Sequence, residues 1–358
     1  MISDKNLVIE NDIENIFENT KSLWKKIDNN NIFLSGGTGF FGTWILKSFT
    51  FAATRLNLNT KIEVLTRNIK AHKKMFPDLH NTKYIKFIEG DIRSFKFPNK
   101  KFSFIIHAAT TNAEETFNNQ DPLIKYDTIV NGTKRILDFA KECKCKKFLY
   151  LSSGSCYGSI PEGINKINES YFGAPLTNDR NFDHALLGES KRISEMLTNI
   201  YSHKFKIETK IARCFSFVGP LMPLNIHYAI GNFIADIARG KSIIINGNGK
   251  EIRSYMYISD LVVWLLNILL KGKNNSIYNV GSEECVTIYQ LAKKISKFSD
   301  KKTQIIVKNK NIKKKKNIYA PSTKKIRKEL NLTSDVNLEK AIKKTLLHVK
   351  LNKKFYNI

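Results

Sequence analysis

Three glycines at a fixed spacing, Gly36, Gly39 and Gly42, follow an apolar strand pattern, Ile32-Phe33-Leu34. They open a helical pattern of Phe41, Trp44, Ile45 and Leu46. Such a strand, glycine turn and helix suits a pyrophosphate. One glycine permits the tight turn, one lets the backbone approach the phosphates, and one lets the helix sit closely on the sheet. The helix N-terminus adds free N–H groups and the positive end of its dipole. The three letters alone would carry little, but between a strand and a helix they predict a dinucleotide or a ligand of that shape.

The surrounding elements must hold this loop in place. Strand patterns at Lys61–Leu65, Tyr84–Ile88, Phe102–Ile106 and Lys147–Ser152 alternate with helical stretches, the longest at about 122–142. Such repetition predicts an α/β fold of the Rossmann type, a doubly wound parallel sheet covered by helices on both faces. Beyond it the pattern gives a helix at about 183–203, a strand at Glu208–Arg213 and an irregular stretch from Phe215 to about Gly249, with a helix near 229–239. Further helices follow at 258–271, 288–297 and about 338–349. Residues 1–30 read as a helical leader whose Ile13, Ile16, Phe17, Leu23, Trp24 and Ile27 should pack on the main body. The expected division is that leader and two lobes, the alternating strands and helices forming the first. Ligands of doubly wound sheets lie outside the carboxyl ends of the strands. Gly36–Gly42, Thr66-Arg67, Asp91, His107–Thr110 and Ser152-Ser153 all fall there.

Composition narrows the class. Hydrophobic residues make up 42% of 358, enough for a large interior, and no apolar run reaches membrane-spanning length. The N-terminus is acidic and polar and lacks a signal peptide's features, so the cytoplasm is the expected compartment. Five irregularly spaced cysteines suggest reduced thiols, and Cys143-Lys144-Cys145 has no partner pair or suitable histidine for a metal site. The net charge of +27 is spread over many segments, with one basic cluster, KNKNIKKKK at 308–316. It reads as a solvated face rather than a nucleic-acid surface, and an anionic substrate gains modestly from the field.

The motifs SGGTGFFG at 35–42, EGDI at 89–92, IIHAAT at 105–110, NGT at 131–133, YLSSGSCYG at 150–158, LGESK at 187–191, ARCFSFVGP at 212–220 and NGNGKEIRSYMYISDL at 246–261 occur in order. Together they resemble the extended short-chain dehydrogenase/reductase superfamily, in its nucleotide-sugar epimerase/dehydratase branch, over about residues 30–350. The resemblance implies a nucleotide-binding domain over 31–215, rejoined by about 250–280, that holds NAD or NADP, and a smaller C-terminal substrate-binding lobe over 216–358 that holds a sugar nucleotide. It implies cofactor contacts from Gly36, Gly39, Phe40, Phe41, Gly42, Arg67, Asp91, Ile92, Ala108, Ala109, Thr110, Asn131 and Lys191. Substrate contacts are implied for Ser155, Ser216, Asn232 and Arg253, the last gripping the diphosphate through a guanidinium suited to bidentate binding. Ser216 stands where many members have asparagine.

Members oxidise or reduce the sugar at carbon 4. A tyrosine takes the hydroxyl proton, a lysine four residues on lowers its pKa, and a nearby Ser or Thr holds the sugar oxygen. Ser153 matches that hydroxyl and Lys191 the lysine, but the tyrosine position is Leu187. Three readings stand open. The chain is a catalytically impaired cofactor-binding scaffold; or His184, Tyr171 or Tyr157 substitutes; or another base acts through water. Gly154 and Ser155 replace the Asp-Glu pair of the 4,6-dehydratases and the glutamate of the uronate decarboxylases, which favours a 4-epimerase or 4-ketoreductase. Thr66-Arg67 at the second strand end lacks the acid that binds a ribose diol, and Arg67 tilts the expectation towards NADP. A homodimer through the helices at 122–142 and 183–203 is expected, with Ile124, Ile129, Leu137, Leu186, Ile193 and Leu197 as candidate contacts.

Overall fold

The computed structural model describes residues 7–110, 121–161, 163–178, 182–224, 226, 228–309 and 317–358, with only the backbone of 182–184. In chain order the strands are β1 (Asn31–Ser35), β2 (Lys61–Thr66), β3 (Ile85–Glu89), β4 (Phe104–His107), β5 (Lys147–Ser153), β6 (Glu208–Cys214) and β7 (Phe217–Val218). Then come β8 (Ile243–Ile245), β9 (Ile252–Ser254), β10 (Met256–Tyr257), β11 (Ser276–Val280), β12 (Cys285–Thr287), β13 (Ile305–Val307) and β14 (Ile318–Tyr319).

Seven strands form one parallel sheet in the order β11-β6-β5-β4-β1-β2-β3. This is the doubly wound order, with the strand direction of travel reversing between β1 and β4. Alternate residues of β1 feed opposite faces. Phe33 packs with Phe95, Phe102 and Phe139 on one side, while Ile32 and Leu34 join Trp44, Phe49 and the apolar helix Ile258–Lys271 on the other. Burial on both faces is why β4 and β5 read as near-continuous apolar runs. The helix Pro122–Glu142 starts where Pro122 supplies a preset φ and Asp121 accepts from the Leu123 N–H.

The N-terminal helix Leu7–Lys26 lies on the helices Phe40–Leu56 and Ile258–Lys271. Its Asp12 is buried and accepts from the Tyr257 phenol and from Lys344. Three small sheets, β12-β9-β14, β13-β8 and β10-β7, gather in the C-terminal part. These strands are two or three residues long, too short for a readable period, and the stretch read as irregular from Phe215 contains two of them. The helix Lys324–Leu330 was likewise not legible.

Among the described residues no helix is long and apolar enough to cross a membrane, and no three His, Cys, Asp or Glu side chains gather as a metal site. Residues 310–316 of the basic cluster lie outside the described residues. Two expected dimer contacts are corrected: Ile129 and Leu137 are 1% and 0% exposed in the chain's own core. Among the described residues, the large apolar side chains that do face solvent on these two helices are Leu123, Ile124, Tyr126, Met196 and Ile200.

Candidate active site

The glycine loop sits at the carboxyl end of β1. Gly36 adopts φ +75°, and a Cβ there would lie 2.6 Å from the backbone of Ala108 and Ala109. A Cβ on Gly42 would stand 2.4 Å from Gly37 Cα, so this glycine seats the helix on the loop. Gly39 differs: a Cβ there would meet only the Gly36 carbonyl, at 3.5 Å, and otherwise open space. Gly39 also begins the helix Phe40–Leu56 with no side-chain cap, leaving the first-turn N–H groups of Phe40 and Phe41 to a ligand. A bare, open helix start beside a close-packed turn fits the pyrophosphate of a dinucleotide.

Behind the loop, His107 ties the strand ends together. It is buried, its Nδ1 lies 2.7 Å from Ser35 Oγ and its Nε2 3.0 Å from Thr133 Oγ1. Burial, with help from the Lys191 charge, pulls its pKa down to about 3, so it stays a neutral brace. The sequence reading named its neighbours and passed over this role; its signal was a histidine inside an apolar strand.

Along the crevice, Asp91 is held by Arg93, whose Nε and Nη2 donate at 2.9 and 2.8 Å. That pairing holds the carboxyl below its usual range, and the exposed Arg67 at the end of β2 adds to it. Ile92 is buried against Gly132, where a Cβ would meet it at 2.9 Å. Ala108 and Ala109 are half-buried and Thr110 is exposed. Asn131 is exposed on its helix and donates to Asp127, which also receives Arg93. It therefore stands at the Asp91 edge, away from the end of β5.

At the end of β5, Ser153 Oγ accepts from the Ser155 N–H at 3.1 Å and is paired with Ser155 Oγ at 2.9 Å. Lys191 is 5% exposed, donates to the Leu151 carbonyl at 2.9 Å and lies 4.9 Å from the Tyr150 ring centroid. Burial brings its pKa down to about 8. Ser152 points the other way and donates to Glu195, which is clasped by Arg213 through Nε at 2.9 Å and Nη2 at 2.6 Å. Arg213 in turn lies 4.5 Å from the Tyr157 ring centroid. This buried ion pair beneath the serine was missed; Glu195 falls four residues after Lys191, one turn along the same helix face.

Of the proposed tyrosine stand-ins, Tyr157 is buried and donates to Asn279 Oδ1 at 2.8 Å, so its phenol is committed to the β11 edge. The Tyr171 ring packs on it at a tilt of 46°, 6.2 Å between centroids. The side chain of His184 lies outside the described residues. Leu187 is half-buried.

The C-terminal part contributes four residues. Arg253 donates from Nη1 to the carbonyls of Ile252 and Asn317, at 2.8 and 3.2 Å. The Ser216 carbonyl accepts from Met256 N–H, and Asn232 Oδ1 is buried without a partner among the described residues. Opposite Arg253 in the β9–β14 register is Tyr319, which the sequence reading did not single out. Its ring packs on Phe215, 4.8 Å between centroids, and its phenol oxygen lies against Gly154, the residue after Ser153.

The chain is similar to known proteins in sequence and in fold. The chain is 31% identical over 283 residues to a dTDP-D-glucose 4,6-dehydratase of Dictyostelium discoideum, aligning 75% of this chain and 62% of that protein's length. It is 28% identical over 281 residues to UDP-glucuronic acid decarboxylase 6 of Arabidopsis thaliana, covering 75% and 74% of the two chains. A UDP-glucuronic acid 4-epimerase of Bacillus cereus, solved with UDP-glucuronic acid and NAD, superposes with a TM-score of 0.73 at 19% identity, over 90% of this chain and 99% of that one. The last likeness concerns the fold. The family model for the NAD dependent epimerase/dehydratase family matches residues 32–281, from the strand before the glycine loop to the residue after β11. With a match over most of its length and a bare helix start where such a cofactor's phosphates belong, the chain belongs to the NAD dependent epimerase/dehydratase family.

Proposed function

We propose that the chain is a nucleotide-sugar oxidoreductase acting at sugar C4, a 4-epimerase or 4-ketoreductase rather than a 4,6-dehydratase or decarboxylase. The observation that carries this reading is the end of β5: Ser153 is present and hydroxyl-lined, while Gly154 and Ser155 offer no carboxylate for elimination or decarboxylation. Relatives with all three chemistries share the scaffold, so the local side chains decide. A nicotinamide dinucleotide supplies hydride exchange when bound. Gly36, Gly39 and Gly42 with the first-turn N–H groups would hold its pyrophosphate, and Asp91 and Ile92 its adenosine end. Arg67 would favour NADP through a 2′-phosphate. Ser155, Ser216, Asn232 and Arg253 would hold the sugar nucleotide. Lys191 places a proton-exchanging amine under β5, and Ser153 orients the sugar oxygen.

Leu187 supports a second reading, a cofactor-bound scaffold without turnover, because leucine moves no proton. Incubating the purified protein with UDP-, dTDP-, GDP- and CDP-sugars and each of the four cofactor forms separates the two. Absorbance at 340 nm and product NMR are the readouts. Epimerised or reduced C4 products are expected. Bound cofactor with no product across the panel overturns the enzyme reading. A homodimer through the exposed apolar face of Pro122–Glu142 and Phe182–Phe205 goes with this proposal, and a monomer mass by light scattering at micromolar concentration overturns it.

A further inference from the structure

The loss of a tyrosine on one element is met by the arrival of another. Position 154 is glycine, and a Cβ built there would lie 2.8 Å from the Tyr319 phenol oxygen and 2.8 Å from the Phe215 ring. Any larger residue would exclude the phenol. The bare Gly154 thus admits Tyr319 to the side of Ser153, the hydroxyl matched to the sugar oxygen. Tyr319 arrives from β14, 166 positions after Ser153 and on a different sheet. We propose that Tyr319 donates the proton to the sugar C4 oxygen in the reductive half of the reaction, taking the place left by Leu187. This rests on the reading above.

The step balances. The C4 carbonyl carbon gains a hydride with its electron pair from a dihydronicotinamide, which is oxidised. The C=O π bond breaks, the oxygen takes the Tyr319 phenolic proton, and a C4 hydroxyl forms. Solvent then returns a proton to the phenolate. Burial raises the Tyr319 pKa above its ordinary value, so at neutral pH the phenol carries the proton it would donate.

The test is Tyr319→Phe, which removes one oxygen and keeps the ring against Phe215. In reduction of UDP- and dTDP-4-keto sugars, kcat should fall by about 10²–10⁴-fold. Dihydronicotinamide affinity, read by its fluorescence, and the melting temperature should stay as in the parent. Gly154→Ala, which crowds the phenol, should lower kcat in the same way. In a second arm, calorimetry with oxidised cofactor present should show Tyr319→Phe binding the 4-keto sugar nucleotide about tenfold more weakly, and the bare nucleoside diphosphate equally well. Turnover within threefold of the parent, or equal keto-sugar binding, overturns the proposal. A parent without turnover on any sugar overturns the enzyme reading instead, and the binding arm alone then decides whether Tyr319 reaches the sugar oxygen.

Discussion

At the ends of β1 and β4 the cleft wall is backbone, whereas at the end of β5 it is side chain. On the cofactor side, Gly36 and Gly42 remove side chains so that main chain can meet main chain, and His107 braces the strands as a neutral ring. On the candidate substrate side, Ser153, Lys191 and Tyr319 come from three separate elements and Phe215 from the link between β6 and β7, over the buried Glu195–Arg213 pair. The first wall tolerates almost no substitution, because its shape is its chemistry. The second can exchange its reacting groups while keeping its support, as Leu187 and Gly154 illustrate. That contrast explains how one scaffold serves dehydratases, decarboxylases and epimerases.

The support is where the largest effect is expected. Glu195→Ala strands the Arg213 guanidinium in the interior and should cost about 3–5 kcal/mol, seen as a large drop in the urea midpoint. A cost below ~1 kcal/mol would mean that water reaches the pair and the substrate wall has no rigid base.

Lys191 sharpens the comparison through pH. Its folded pKa is lowered from 10.5 to about 8, so between those values the unfolded chain binds the extra proton and stability rises with pH. Below pH 8 the buried ammonium carries a penalty on the order of 3 kcal/mol, relieved as pH climbs towards 10. Cys156 and Cys214, both pushed up to about 12 by burial, stay thiols through this window. Thermal melts of the parent and Lys191→Met from pH 7 to 10 should therefore show the parent gaining on the variant. A flat difference would place water at the amine.

The cofactor wall is probed by two glycines that should fail differently. Gly42→Ala places a methyl against the Gly37 and Gly36 backbone and should cost about 1–3 kcal/mol of stability. Gly39→Val meets open space in the protein, so the melting temperature should hold while cofactor affinity falls at least about tenfold. Equal cofactor affinity in parent and Gly39→Val would move the phosphate site elsewhere.

The smallest effect expected is at Arg67. Removing one exposed guanidinium should change the NADP/NAD ratio of dissociation constants by about fivefold, or roughly 1 kcal/mol, in favour of NAD. An unchanged ratio in Arg67→Ala would show that another group reads the ribose.

The fold and the place of the glycine loop were legible in consecutive residues. A strand, a glycine turn and a helix are local, and the apolar periodicity that marks β1 to β6 is written in consecutive residues. The glycine loop, Asp91, Ser153 and Lys191 were legible because their geometry follows from the elements that carry them. What stands around Ser153 is set by contacts between distant parts of the chain. Tyr319 lies on a two-residue strand after a lysine-rich stretch, with no pattern to mark it, and it reaches the serine only because β14 pairs with β9 and Gly154 leaves the space. The commitment of Tyr157 to Asn279, the clasp of Arg213 on Glu195 and the burial of Ile129 and Leu137 are of the same kind. Each is a contact between residues distant in the chain, and such contacts are fixed by packing rather than by local propensity.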